Sequence, residues 1–310
     1  ARVRSAVGAH WRREVQAARR RRASLVAAFA AAAAAALVVA VGRGWWRSVA
    51  GIPGAVPPLA TLQRVEGSVF LAGGRRLRLG DRLTPGSDLE TGDDGRAALS
   101  LVDGPSLRLD SGTRLRLMPG PVVELDRGAL YVDSGTDRGP RPARRTRLEV
   151  RTKMGSVRDV GTQFEVSLRR DTLRLSVREG LATLVRAGRS FAAPAGTRLL
   201  VEAEGAVQTS TVPAQGPDWD WVIAIAPAFD LEGRTLREYL DWVTRETGWR
   251  VEFVDPAIAG RAAAIVLHGS VVGLRPDQTP AAVLPTCGFR HRLTDGSLII
   301  ERQGGAGGSS

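Results

Sequence analysis

GSVRDVGTQFEVSLRRDTLRLSVREGLATLVRAG, residues 155–188, alternates apolar and polar residues with period two around two interruptions, VGTQF and REG. Strict alternation places one apolar face on each strand. Phe164, Val166 and Leu168 share a face of one predicted strand, Leu173, Leu175 and Val177 share a face of the next, and 169–172 is the turn between them. Leu181, Thr183 and Val185 are expected to repeat the pattern after Glu179-Gly180. Gly161 and Gly180 then fall at strand junctions, where a tight turn or bulge favours a residue that tolerates positive φ.

The same grammar extends from about residue 62 to 212. RRLRLG, RAALSLVDG, PSLRLDSG, TRLRLMPG, VVELDRG, ALYVDSG and TRLEVRT are short alternating runs separated by Gly, Asp and Pro. One-faced strands cannot stand alone, so an all-β domain is expected, either a sandwich or a sheet rolled on itself. The outward arginines are interleaved with acids such as Asp110, Glu124, Glu149 and Glu165, which reads as an ordinary solvated face.

A smaller α+β domain is expected over 227–303, joined to the first by a connector at 213–226 that holds Trp219 and Trp221 in a short helix or turn. TLREYLDWVTRETG places Leu236, Leu240, Val243 and Thr247 on one helical face. Thr235 and Glu238 have capping-box spacing, and Gly248 ends the helix. WRVEF reads as a strand broken by Asp255-Pro256, and AAIVLHGSVV as another. DQTPAAVLPTCG reads as a second short helix, and FRHRLTDGSLIIE as a hairpin turning at Asp295-Gly296.

The 310 residues carry a formal charge of +12, but its location matters more than its size. Residues 1–47 hold ten arginines and one acid, Glu14, whereas the rest of the chain is nearly balanced. Lys153 is the only lysine, and with the charge concentrated in the N-terminal tail this general Arg-for-Lys skew is not good evidence for phosphate recognition, so no nucleic-acid partner is expected. Residues 23–42, ASLVAAFAAAAAAALVVAVG, are uncharged over about one bilayer thickness and read as a transmembrane helix. Arg19, Arg20, Arg21 and Arg22 precede the run and only Arg43 and Arg47 follow closely, so the 1–22 tail is expected in the cytoplasm and the bulk outside. Trp45 and Trp46 sit where an aromatic belt would meet the outer interface. The alternative, a cleaved signal peptide, would have a long apolar core and a poorly matching cleavage site near Ala40-Val41-Gly42. Residues 43–61 read as a Pro-rich linker and 304–310, GGAGGSS, as a flexible tail.

No reaction chemistry is expected. Cys287 is alone, so no intrachain disulfide can form, and a small-hydrophobe role suits it. His10, His268 and His291 make no pair at zinc-ligand spacing. SDLETGDDG, residues 87–95, is not a regular calcium loop, and neither a phosphate-binding Gly loop nor a nucleophile elbow is present. The reading is of a non-enzyme with no cofactor and no metal.

In order along the chain, the elements GSV (67–69), TGDDGRAALSLVDGPSLRLDSGTRLRL, VELDRGALYV, GSVRDVGTQFEV, VREGLATL and PAGTRLLV resemble the FecR family. Gly161, Thr162 and Phe164 match that family's G-T-x-F, and Glu179 with Gly180 its E-G turn. The C-terminal region resembles the short N-terminal domain shared by secretins and TonB-dependent receptors, through Phe229, Leu231, Gly248, Gly269, Pro280, Leu284, Gly288, Leu298 and Ile300. The resemblance implies a single-span inner-membrane sensor with its bulk in the periplasm. Such a protein meets the signalling domain of a TonB-dependent outer-membrane receptor and controls an extracytoplasmic-function sigma factor. Two surfaces are candidates for the receptor contact. One is the edge of the last strand, Ser297, Leu298, Ile299, Ile300 and Glu301, read as open to strand addition. The other is Trp242, which lies off the apolar helical stripe and either serves as an exposed anchor or packs against Trp219 and Trp221. FecR regulators hold the sigma factor with a cytoplasmic segment of several tens of residues, whereas 22 residues precede the apolar run in this sequence, which opens on Ala1. Two readings follow: a regulator, expected if such a segment lies upstream, or a membrane-anchored envelope module that uses the same β domain without a sigma factor.

Overall fold

The computed structural model describes residues 56–102, 104–135, 147–202 and 205–303. The basic tail, the apolar run 23–42, most of the linker and residues 304–310 lie outside the described residues, so the expected membrane span has no counterpart here. Among the described residues no helix is long and apolar enough to cross a membrane.

The first module is all β. Its strands are β1 (Ala60–Glu66), β2 (Val69–Leu71), β3 (Arg82–Leu83), β4 (Asp88–Thr91), β5 (Arg96–Leu101), β6 (Ser106–Leu109), β7 (Arg114–Leu117) and β8 (Val122–Asp133). They continue as β9 (Glu149–Thr152), β10 (Gly155–Asp159), β11 (Gln163–Arg169), β12 (Thr172–Glu179), β13 (Leu181–Arg186), β14 (Arg189–Pro194), β15 (Thr197–Glu202) and β16 (Gln208–Thr211). All sixteen belong to one hydrogen-bonded sheet folded over the long strand β8. Residues 128–133 of β8 pair with β6 and β11 in one layer, which runs β3-β1-β5-β6-β8-β11-β12-β15-β16. Residues 122–127 pair with β7 and, in parallel, β9 in the other layer, β2-β4-β7-β8-β9-β10-β13-β14. Both expected architectures are thus realised at once, as a rolled sheet whose two layers share one core. Leu99, Leu107, Val132, Phe164, Val166 and Leu175 come from the first layer, and Leu89, Leu115, Val123, Val157 and Leu184 from the second.

The β11–β12 hairpin has the expected register, with Phe164 opposite Val177, Val166 opposite Leu175 and Leu168 opposite Leu173. The continuation differs. Ala182 and Leu184, not Leu181, Thr183 and Val185, face the core. At Gly180 the chain leaves the first layer for the second, and a one-residue change of phase exchanges the two faces of the strand. The expected solvated face is also corrected in part. Asp110 and Glu165 are buried, Asp110 beside Arg96 at 2.8 Å within the β module and Glu165 on the face that the connector covers.

The connector forms a 3₁₀ turn (Pro217–Trp219) and α1 (Asp220–Ala224), as expected of a short helical joint. Beyond it lie α2 (Leu236–Thr247), β17 (Arg250–Phe253), α3 (Pro256–Ala264), α4 (Thr279–Thr286), β18 (Phe289–Thr294) and β19 (Ser297–Arg302). Helix α2 buries Leu236, Tyr239, Leu240 and Val243 and carries the full capping box: Glu238 N–H donates to Thr235 Oγ1 at 3.2 Å and Thr235 N–H to Glu238 Oε2 at 2.8 Å. One expected strand does not form: AAIVLHGSVV supplies the end of α3 followed by a single bridge from Val266 to Thr235. Asp255-Pro256 starts a helix as well as ending a strand: Asp255 Oδ1 accepts from Ala257 N–H at 2.8 Å with Pro256 in the first turn, and an alanine-rich run follows.

The last strand is corrected as well. β19 is the centre of the three-stranded sheet, order β17-β19-β18, with β17 parallel and β18 antiparallel to it. Both edges of Ser297, Leu298, Ile299, Ile300 and Glu301 are therefore occupied, and the edges open to strand addition are those of β17 and β18. The hairpin fills one side, and the crossover through α3 and α4 brings β17 to the other, which short-range turn signals do not report.

Candidate functional site

Register across the first layer lines up Arg64, Ala98, Arg108, Tyr131, Glu165, Ser176 and Arg198 on the side away from the core. A neighbouring row contains Ser106, Asp133, Gln163 and Glu179. These rows are the floor on which the connector and the C-terminal end of α2 rest.

The connector covers the first row. Trp219 is fully buried, meets the Tyr131 ring edge-on at 6.0 Å between centroids, lies under the Arg178 guanidinium at 5.2 Å, and donates Nε1–H to Pro213 O at 2.8 Å. Arg64 and Arg108 donate to the carbonyls of Ala226 and Val222, each at 2.9 Å, and Arg198 pairs with Asp218 at 2.8 Å. Glu165 and Arg174 pair at 3.1 Å; burial nevertheless pushes the Glu165 carboxyl above the usual carboxylate range, the guanidinium offsetting only part of that cost. Burial likewise raises Tyr131 above an ordinary phenol.

Helix α2 covers the second row. An α-helix ends with carbonyls that have no partner within it. Gly248 N–H takes Thr244 O at 2.8 Å, and the next two carbonyls are taken by side chains of the β module: Gln163 Nε2 donates to Arg245 O at 3.2 Å and Arg178 Nη1 to Glu246 O at 3.0 Å. A guanidinium at the negative end of the helix dipole adds a favourable charge term. Arg178 Nε also holds Ala214 O at 2.6 Å, tying the connector to the same point. Gly248 has φ of 76°, and a Cβ there would lie 2.3 Å from Ala214 O and 2.7 Å from Arg178 Nη2, so the approach requires glycine.

Two ion pairs complete the joint. Arg108 Nη2 meets Glu246 Oε2 at 2.6 Å with both side chains almost wholly buried, and the guanidinium lies 5.3 Å from the Tyr131 ring centroid. Arg245 reaches Asp133 with both ends of its guanidinium, Nε to Oδ2 at 2.9 Å and a shorter Nη2–Oδ1 contact, while Gln163 Nε2 donates to the same Asp133 Oδ2 at 3.1 Å. Burial lowers the Arg245 pKa from the ordinary arginine value. Consecutive residues at the end of α2 thus send opposite charges to complementary charges on β6 and β8.

The sequence-singled residues fall around this joint. Gly161 (φ 84°) and Gly180 (φ 77°) occupy the strand junctions, and a Cβ on Gly180 would lie 2.5 Å from Gly161 O. Thr162 N–H donates to Ser134 Oγ at 2.8 Å beside Asp133, Phe164 is core, and exposed Glu179 lies 3.9 Å from Arg245. Trp242 is half-buried and packs in its own module, its ring 5.3 Å from Phe229 and 6.0 Å from Tyr239 rather than against the connector tryptophans. It also lines a cleft of about 260 Å³ with Phe229, Asp230, Arg234, Arg108 and Glu246, at the rim of the joint. Ser297 to Glu301 form the central strand of the second sheet, and the Gly296 turn that precedes them lies against Gln215 of the connector. The joint's partners Arg108, Asp133, Gln163, Arg178, Arg245 and Glu246 were not singled out by sequence. One signal was available: Glu246 follows Val243 by three residues, so a charged side chain sits on the buried stripe of α2.

The arrangement can hold two modules in one relative position through charge and helix capping. Among the described residues no group of three or more His, Cys, Asp or Glu is placed to hold a metal ion.

Residues 87–183 match the family described as FecR protein, from the start of β4 into β13, and this span contains VGTQF and REG. No curated protein matches the chain. Two solved structures of a candidate anti-sigma factor from Parabacteroides distasonis are similar at 15% identity and a TM-score of 0.38, covering 70% of this chain and 99% of theirs.

Proposed function

We propose that this chain, a FecR-family protein whose FecR domain spans residues 87–183, is a membrane-anchored sensor. In this reading it relays a signal from a TonB-dependent outer-membrane receptor toward an extracytoplasmic-function sigma factor. The observation that carries the reading is the seating of α2 on the family's own motif region: Gln163, next to Gly161-Thr162, and Arg178, next to Glu179-Gly180, cap the helix of the other module. A partner that engages the C-terminal module, at the Trp242 cleft or along the open edges of β17 and β18, would load the joint, and the joint would convey the load to the β module. The apolar run 23–42 would then carry the change across the inner membrane, with residues 1–22 in the cytoplasm.

The test is capture from membranes of cells expressing the full chain with a tag, with cross-linking. A TonB-dependent receptor cross-linked to the C-terminal module, reduced by Trp242→Ala, together with a sigma factor on the cytoplasmic side, supports the relay. A folded, membrane-embedded chain that captures neither overturns it and leaves the envelope-module reading.

A further inference from the structure

The described chain begins at one pole of the β module, and that pole gathers exposed apolar and cationic side chains. Leu59 donates to Leu83 O at 2.7 Å and accepts from Val102 N–H at 3.0 Å, while Gly80 N–H reaches Leu62 O at 2.9 Å. The turns before β3 and after β5 therefore bracket the first residues of β1. They bring Leu79 (70% exposed) and Val102 (68%) toward the same strand. Arg75, Arg76, Arg78 and Arg82 are exposed on the segment that carries Leu79. Asp81 is engaged by Arg75 at 3.2 Å and by Arg78 N–H at 3.1 Å, and Arg76 donates to the neutral carbonyl of Gly67 at 3.1 Å. Arg76, Arg78 and Arg82 are thus left without an acidic partner among the described residues. The remaining acid of these turns, Asp103, lies outside them.

Exposed apolar side chains with the unpaired guanidinium groups of Arg78 and Arg82 on the same segment as Leu79 have the chemistry of a surface that lies in a lipid headgroup region. The tips enter the acyl boundary and the cations meet phosphates. We propose that this pole docks on an anionic lipid bilayer. Charge complementarity selects that occupant, and so does the length of chain leading to it. The apolar run ends at Gly42, fourteen positions before Val56, and a chain of that length spans at most about 50 Å when extended. A bilayer holding the run is therefore always within reach, which raises its effective concentration at the patch. The inference rests on the anchored reading above.

The test uses the full chain with Cys287→Ser, carrying an environment-sensitive fluorophore at Leu79→Cys or, for comparison, at Leu293→Cys on the C-terminal module. It is reconstituted with vesicles of phosphatidylcholine alone or with added phosphatidylglycerol, and flotation reports anchoring independently of the label. The expected result is a blue shift and protection from an aqueous quencher at position 79 only, stronger with phosphatidylglycerol and weakened by salt. Arg78→Gln and Arg82→Gln should each lower the docked population about fivefold. Flotation with position 79 as quenchable as position 293 overturns the docking and spares the anchored reading. Failure to float overturns both. Protection at position 79 that needs no vesicles and ignores salt overturns the lipid as occupant in favour of the chain's own N-terminal segment or a second copy.

Discussion

Replacing Glu246 with alanine should be the most informative single change in the joint. Its carboxylate meets Arg108 at 2.6 Å, with the two side chains 8% and 2% exposed. Without it, the guanidinium keeps Val222 O and the Tyr131 ring, but its Nε already lacks a partner among the described residues. Breaking a buried ion pair from one side costs about 3–5 kcal/mol, mostly as the penalty of the charge left behind. Both residues line the cleft beside Trp242, so water can enter the vacated space, and the lower end, about 3 kcal/mol, is expected. Arg108→Met should cost a similar amount, because it strands the carboxylate and loses the cation–π contact. The double variant Arg108→Met/Glu246→Leu should be close to neutral, since an apolar pair needs no desolvation of charge. Urea unfolding of the full chain in detergent, followed by tryptophan fluorescence and far-UV circular dichroism, reads both the joint, through Trp219, and the whole fold. In the cycle closed with Glu246→Leu as the second single, costs of about 3 kcal/mol for each single against a nearly neutral double give an expected coupling energy of about 6 kcal/mol. Two small, additive single effects, with coupling under about 0.5 kcal/mol, would refute the claim that this pair holds the modules together.

Other consequences are simpler to check. Gly180→Ala should destabilise by at least about 1–3 kcal/mol from backbone strain at φ 77°, with the contact to Gly161 O adding to it. Gly188→Ala, at φ 73° with open space around it, should cost only about 1 kcal/mol, and the contrast in urea midpoints isolates the packing term. Thr235→Ala should remove about 1 kcal/mol by opening the capping box of α2, measurable by thermal unfolding. Glu165 has a folded-state pKa above its unfolded one, so the native state binds the extra proton, and stability should fall as pH rises from about 4.5 through the folded value. Glu165→Gln should flatten that part of the pH–stability curve; a parallel curve for the two proteins would show that the carboxyl does not titrate in this window.

Alternation alone specified most of the β module. Period two in 164–168 and 173–177 determines which side chains turn inward, and glycines at 161 and 180 mark where the chain must turn with positive φ. The capping box, Gly248 and the Asp295-Gly296 hairpin were equally legible, because each is a contact between residues a few positions apart. The phase of β13 was not: whether Leu181 or Ala182 faces the core depends on which layer receives the chain after Gly180, a choice made by pairing with β10. The central position of β19 depends likewise on β17, 47 residues upstream in register.

The joint lay furthest from view. Arg108, Gln163 and Arg178 stand at positions that alternation assigns to solvent, and they do face away from the core; only the return of the connector and α2 turns that outer face into an interior. Sequence therefore determined the strands, their inward residues and the local caps, since these follow from neighbours in the chain. The tertiary structure alone decided which charges are buried and paired, because a guanidinium and a carboxylate 138 residues apart, Arg108 and Glu246, meet only once two modules have folded and closed on each other.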